Sequence, residues 1–216
     1  MHHLLIVDDH PLYRMALRQT IAAALPDARI DEAGDLPSAQ AALALAPDTD
    51  LVLLDLQLPG THGLLALTEM RATHPSVAVA ILSGQDDAAT VRRALAMGAC
   101  GYITKHASTE DLHAGLVALL SGETWLPSVL REQLARTPRD SEAEKLAARL
   151  SSLSPQQLKV LQRVAEGRLN KQIADELGIQ ERTVKAHLTV VFEKLGVRNR
   201  TQAGVLLSAL TGESAK

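Results

Sequence analysis

Asp50-Leu51-Val52-Leu53-Leu54-Asp55, followed by a break at Pro59-Gly60, is the stretch that decides the fold. Four apolar residues between two acids, closed by Pro and Gly, have the profile of a central strand buried on both faces, as in a parallel sheet. The second acid, Asp55, then stands at the carboxyl end of the strand. In an open α/β sheet ligands bind in the crevice beyond those ends, so chemistry is expected at Asp55.

The flanking segments repeat the pattern. Leu4-Leu5-Ile6-Val7 reads as a buried strand ending at Asp8-Asp9, and Pro11 opens a helix with Leu12, Met15, Ala16 and Gln19 at helical spacing. A weaker strand over 28–33 precedes an Ala-rich helix over 36–46, and a helix over 63–73 follows the Asp55 strand. Residues 77–82 form a further buried strand ending at Ser83-Gly84. Asp86 and Asp87 can cap a helix to Met97, which Gly98 terminates. Residues 100–104 make a fifth strand ending at Lys105, and Ser108 caps a helix with a core-facing stripe of Leu112, Leu116, Leu119 and Leu120. Strands alternating with helices imply an α/β domain with a parallel sheet covered on both faces. All five strand ends then share one edge, which collects Asp8, Asp9, Asp55, Ser83 and Lys105.

Charge divides the chain. By Lys and Arg against Asp and Glu, residues 1–122 are net −7, residues 123–150 are neutral, and residues 151–216 are net +4. The acidic front and basic back imply different partners. Residues 123–150 read as a linker, partly helical, with Trp125 packed against a neighbouring helix. The chain has four aromatic residues in all, which argues against aromatic-lined ligand pockets and base-stacking platforms. The single Cys100 makes no internal disulfide and reads as a small apolar filler in a strand, which fits a reducing cytosol. No apolar run approaches the roughly 18 residues of a membrane span, so a soluble, cytoplasmic protein without a membrane partner is expected. His2 and His3 read as a polar lead-in to the first strand, and the eight histidines show no metal-ligand spacing.

The last 66 residues, 151–216, read as all-helical. Ser154 caps a helix with Pro155 in its first turn, and Asn170 caps a short one that Gly178 ends. A tight turn then leads into a longer helix over 182–195, stopped by Gly196, and Thr201 starts the last helix. Two helices joined by a short Gly-containing turn, the second longer and basic, form a helix-turn-helix. In the longer helix Val184, His187 or Leu188, Val191 and Leu195 face inward, while Arg182, Lys185 and Thr189 share another face. Such a face suits the major groove of double-stranded DNA, with Lys171, Arg198 and Arg200 near passing phosphates.

Three acids at two adjacent strand ends make a hard oxygen-ligand site, and Mg²⁺ is the ion that takes one or two carboxylates with water and phosphate. With such an ion, one carboxylate can act as nucleophile toward a phosphoryl group. Lys105 offers a second cation and Ser83 a hydroxyl.

Asp8-Asp9, Asp55, Ser83-Gly84 and Gly101-Tyr102-Ile103-Thr104-Lys105 resemble the signature of the receiver domain of two-component response regulators. Leu153-Ser154-Pro155, Asn170-Lys171-Gln172-Ile173-Ala174, Leu177-Gly178-Ile179, Thr183-Val184-Lys185-Ala186-His187-Leu188 and Lys194-Leu195-Gly196-Val197 resemble the LuxR-type helix-turn-helix of the NarL/FixJ class. The resemblance implies a flavodoxin-like five-stranded receiver over 1–122 and an all-α DNA-binding domain over 151–216, joined by the linker at 123–150. It implies that Asp55 accepts a phosphoryl group from a sensor histidine kinase. Asp9, Asp55 and the Gln57 backbone carbonyl would hold Mg²⁺, with Asp8 acting through water. Ser83 and Tyr102 would be drawn inward on phosphorylation, and Lys105 would pair with the phosphoryl oxygens. DNA contacts would come from Lys171, Arg182, Thr183, Lys185, Ala186, Thr189, Arg198 and Arg200. The last helix, through Val205, Ser208 and Ala209, would form the face of a homodimer. Many receivers carry Pro after the lysine; His106 stands there, so no cis peptide is implied. Gln156-Gln157 replaces the family's frequent Arg-Glu, which removes one intradomain ion pair.

Three functions follow in order. The first is a phosphorylation-switched transcription regulator that is not a turnover enzyme. A phosphatase with an aspartyl-phosphate needs a second acid two residues after the nucleophile, where this chain has Gln57. A ligand-sensing LuxR-type activator needs an aromatic pocket that the composition does not supply.

Overall fold

The computed structural model describes residues 2–59, 61, 63–138 and 141–211, with the side chains of 208–211 left aside. The chain divides into two units, Met1–Ser141 and Glu142–Lys216.

In the first unit the two all-apolar runs are strands without an exposed face: β1 (His3–Val7) and β3 (Leu51–Asp55) are buried along their whole length. Between and after them come α1 (Pro11–Ala24), β2 (Arg29–Ala33), α2 (Leu36–Leu45), α3 (Leu64–Thr73), β4 (Ala78–Ser83), α4 (Ala88–Ala96), β5 (Gly101–Thr104) and α5 (Thr109–Leu120). The strands pair in parallel in the order β2-β1-β3-β4-β5. β2 is the least buried, as its edge position and its sequence Arg-Ile-Asp-Glu-Ala allow. Alternate strand residues turn to opposite faces. Leu4, Ile6, Leu51, Leu53, Ala80, Leu82 and Ile103 form one core with Leu17 and Ile21 of α1 and Leu112, Leu116 and Leu119 of α5. Helices α2, α3 and α4 lie against β1 and β2, β4, and β5 respectively.

Some expectations change. His3 is not a lead-in before the first strand: it is a strand residue, 4% exposed, whose Nε2 lies 2.8 Å from Asp31 Oδ2 on the neighbouring strand. Residues 123–138 of the expected linker pack within the first unit. Trp125 pairs with Gly101 at the edge of β5, and its carbonyl accepts the Tyr102 N–H at 3.1 Å. The close approach requires glycine: a Cβ on Gly101 would stand 2.7 Å from the Trp125 carbonyl oxygen and from Leu119 Cδ2. The indole covers Gly115 of α5, where a Cβ would meet the ring at 3.0 Å, so Trp125 packs on a helix as its sequence context predicts. Beyond it α6 (Ser128–Arg136) lies against α4 with Leu130 buried. Among the described residues there is no cis peptide bond, in keeping with His106 after Lys105.

The second unit holds α7 (Ser141–Ser151), α8 (Pro155–Ala165), α9 (Asn170–Leu177), α10 (Glu181–Leu195) and α11 (Arg200–Thr211). Ser154 and Gln157 form a capping box at the start of α8. The N-cap of α9 is Leu169 rather than Asn170, its N–H donated to Gln172 Oε1 at 2.8 Å. Gly178 ends α9 at φ 64°, a left-handed turn that glycine adopts without strain. Val160, Val164, Ile173, Ala174, Val184 and Leu188 form the core where α8, α9 and α10 meet. The glutamine at 157 supplies a polar tie where an ion pair was missing, since its Oε1 accepts from Lys194 Nζ at 3.1 Å. Among the described residues no helix is long and apolar enough to cross a membrane.

Candidate functional site

β1 and β3 are hydrogen-bonded neighbours with Val7 opposite Leu54, so the residues that follow, Asp8 and Asp55, come side by side. Both are fully buried. Lys105 follows β5 and extends its pairing with β4 through its N–H to the Ser83 carbonyl, 2.8 Å. Its long stem carries Nζ across to the acids, 2.6 Å from Asp8 Oδ2 and 2.7 Å from Asp55 Oδ2, and 5.1 Å from the Tyr13 ring centroid. Burial pushes the ammonium pKa down, but hydrogen bonds and charge from Asp55 and Asp8 outweigh it and hold the lysine above its ordinary value. Tyr13, half-buried, is pushed up to about 12 by desolvation first and by the charges of Asp8 and Asp55 after it.

The remaining Asp55 oxygen, Oδ1, accepts the Gln57 N–H at 3.1 Å. Asp9 is partly exposed, its side chain 26% accessible, and faces His10, whose Nδ1 lies 2.8 Å from Asp9 Oδ1 and 3.2 Å from Asp8 Oδ1. Asp8, Asp9, His10 and Asp55 each offer one ligand atom, all within 4.8 Å of one another. Asp8 Oδ2 lies 2.6 Å from Lys105 Nζ and Asp9 Oδ1 2.8 Å from His10 Nδ1, and each carboxylate oxygen keeps a further lone pair for a cation. Three carboxylates with spare lone pairs are the donor set of a hard, oxygen-liganded divalent ion. His10 escaped the reading of the sequence, where it was one of eight scattered histidines; its signal was adjacency to Asp8-Asp9.

Ser83 and Tyr102 meet at one loop residue. Ser83 Oγ accepts the Gln85 N–H at 3.1 Å, and the Tyr102 hydroxyl donates to the Gln85 carbonyl at 2.6 Å. Both residues are fully buried. Burial above all raises the Tyr102 phenol to about 12, with a Ser83 hydrogen bond opposing and the charges of Asp87, Asp86 and Asp55 adding. Gln85 was not singled out from sequence because it acts through its backbone, which any residue supplies.

In the second unit α10 buries Val184, Leu188, Val191 and Leu195 and exposes Arg182, Lys185, Ala186 and Thr189, with Thr183 and His187 half-buried. Lys185 Nζ pairs with Glu181 Oε1 at 2.9 Å one turn back, and the Thr189 hydroxyl donates to the Lys185 carbonyl at 3.1 Å. Lys171 and Arg198 are exposed. Arg200 is engaged inside the unit: its guanidinium donates to Asn170 Oδ1 and the Val164 carbonyl, both at 3.4 Å, and to the Arg168 carbonyl. Val205 is 66% exposed, and the side chains of Ser208 and Ala209 lie outside the described residues.

A family model described as "Response regulator receiver domain" matches residues 4–117, and one described as "Bacterial regulatory proteins, luxR family" matches residues 151–207. The glycerol metabolism activator of Pseudomonas putida is 39% identical over 212 residues, covering 97% of this chain and 95% of that protein. The nitrate/nitrite response regulator protein NarL of Escherichia coli is 34% identical over 204 residues, covering 94% and 93%. Among solved structures, the Salmonella typhimurium RcsB response regulator superposes with a TM-score of 0.58 at 24% identity, covering 96% of this chain and 98% of that one. An RcsB–DNA complex gives 0.59 at 24% identity, covering 97% and 98%. At that identity the likeness is one of fold.

Proposed function

This chain belongs to the response regulators that join a receiver domain to a luxR-family DNA-binding domain, and from that membership we propose that Asp55 is its phosphoacceptor. It is a regulator of transcription rather than an enzyme. The observation that carries the residue assignment is the placement of Asp55, fully buried at a strand's carboxyl end with Lys105 Nζ at 2.7 Å and two further acids beside it.

The donor is a phosphohistidine of a sensor kinase. An Asp55 carboxylate oxygen attacks phosphorus, the phosphorus–nitrogen bond breaks, and the imidazole leaves with the bonding pair. Lys105 is then free to follow the new phosphoryl oxygens, and Ser83 supplies a hydroxyl to them. Asp8, Asp9 and Asp55, with the Gln57 carbonyl, would hold Mg²⁺, and their spare lone pairs fit it. Bound there, the ion would neutralise charge on the transferring phosphoryl group. Gln57 cannot serve as a general acid or base, so the phosphoryl group persists as a signal instead of being turned over.

The added charge, near −2, is large enough to bias a two-state element. The output is DNA binding by α10, whose Arg182, Lys185, Ala186 and Thr189 line the face offered to the major groove. Thr183 flanks it, and Lys171 and Arg198 reach phosphates. Lys185 must release Glu181 to do so. Arg200 supports this face from within, through its bonds to Asn170 and Arg168. Paired half-sites call for a homodimer, with α11 and its exposed Val205 the candidate face, continued by Ser208 and Ala209. The protein works in the cytoplasm, where its DNA partner is.

Incubation with acetyl phosphate and Mg²⁺ tests the assignment. One phosphoryl group per chain is expected by intact mass, stable over the assay and absent from Asp55→Asn. Uptake that survives Asp55→Asn, or continuous release of phosphate, would overturn it.

A further inference from the structure

Arg92, on α4, uses its guanidinium outside the acid cluster. Nη1 donates to the Pro138 carbonyl at 2.6 Å, and Nη2 donates to the Thr137 carbonyl at 2.6 Å and to that of Leu134. These carbonyls belong to the carboxyl end of α6 and the residues just after it. A helix leaves its last carbonyls without intrahelical partners and carries partial negative charge there, which a planar, permanently charged guanidinium satisfies several at a time. At nine residues α6 is shorter than the roughly 12–15 that hold a helix together alone in water. Leu130 is its one fully buried side chain. Docking on α4, with Arg92 gripping the far end, therefore keeps α6 folded.

The near end of α4 is tied to the acid site. Gln85 stands two residues before Asp87, the N-cap of α4, and is held by Ser83 Oγ at its N–H and by the Tyr102 hydroxyl at its carbonyl. Ser83 ends β4 directly after Leu82, which is paired with Asp55. A Ser83 hydroxyl that turns toward a phosphoryl group on Asp55 withdraws the acceptor from Gln85, and the start of α4 loses a fixed point. In sequence, α6 is the last helix before the second unit begins at Glu142.

We propose that Arg92 is a clamp that couples the phosphorylation state of Asp55 to the linker, holding α6 on α4 in the unmodified protein and releasing residues 128–138 when the Ser83–Gln85 segment rearranges. This rests on the phosphoacceptor assignment. The guanidinium is a positioning group that acts through α4 and touches neither phosphoryl group nor DNA.

Hydrogen exchange of the full chain, read by mass spectrometry with and without acetyl phosphate and Mg²⁺, tests it in wild type, Arg92→Gln and Arg136→Gln. In wild type, phosphorylation speeds exchange over 128–137 about tenfold, the scale of a typical coupling. Arg92→Gln exchanges at the fast rate without phosphodonor and changes no further, while its β3 and β4 amides stay protected and its phosphoryl uptake equals wild type. Arg136→Gln, with the same loss of charge in the last turn of α6, behaves as wild type. Wild-type protection of 128–137 in Arg92→Gln, or wild-type uptake without faster exchange there, overturns the clamp. Absence of uptake by wild type overturns the phosphoacceptor assignment itself, and the mass reports that separately.

Discussion

Lys105 lies between two buried carboxylates, and its removal leaves both without a counter-charge. Lys105→Met is expected to lose about 3 kcal/mol of stability, the low end of what breaking a buried pair costs. Urea denaturation followed by circular dichroism measures the loss, and Mg²⁺ should restore more of it in the variant than it adds to wild type, because the ion then enters without displacing an ammonium. The lysine's pKa is raised, so its contribution is complete below its ordinary value of 10.5 and fades only as pH climbs through the higher folded value. Stability in the neutral range should therefore not depend on its titration. At this scale the sequence was informative wherever a charged residue ended an apolar run, as Asp8, Asp55 and Lys105 do. It was silent on His3, whose burial depends on an acid contributed by another strand, and on Gln85, whose role is carried by peptide groups.

Helix α4 is capped by Asp87, whose carboxylate accepts the Thr90 N–H at 2.9 Å. Burial pushes that acid up, but hydrogen bonds from Thr90 and the charge of Arg93 outweigh it and hold its pKa below 3.8. A depressed acid stabilises the fold above its unfolded pKa and ceases to do so as pH falls through the folded one. Asp87→Ala should cost about 1 kcal/mol at pH 7, as cap removals do. The difference from wild type should shrink to nothing in acid denaturation carried below the folded value. In the second unit, Arg198→Ala should weaken DNA binding and lower the slope of log affinity against log salt by about 1, the signature of a lost phosphate contact. Arg200→Ala should instead lower the melting temperature of the second unit and leave that slope nearly unchanged, since its guanidinium bonds Asn170, Val164 and Arg168. Fluorescence anisotropy at several salt concentrations separates the two. Most elements were legible to within a residue or two because burial sets their period. The stretch after Gly122 was not, since its balanced charge looks like a solvated tether while Trp125 and Leu130 each need only one receiving surface.

The molecule joins two units with cores of their own, one built on a parallel sheet and one on five helices. Calorimetry on the full chain is expected to resolve two transitions, of which Mg²⁺ raises only the one belonging to the first unit, by mass action on the acid cluster. A single transition that shifts as a whole would mean that the units unfold together. The division was visible in charge and helix pattern, but its position was not: residues 123–138 belong with the sheet, and α7 opens the second unit. Trp125 gains a practical meaning from that placement. It is the chain's one indole, lodged between Gly101 and Gly115 at the point where the linker leaves the sheet. Its emission under selective excitation comes from this joint alone, so any kinase, ion or operator that disturbs the joint announces itself optically in the native protein, with no label attached.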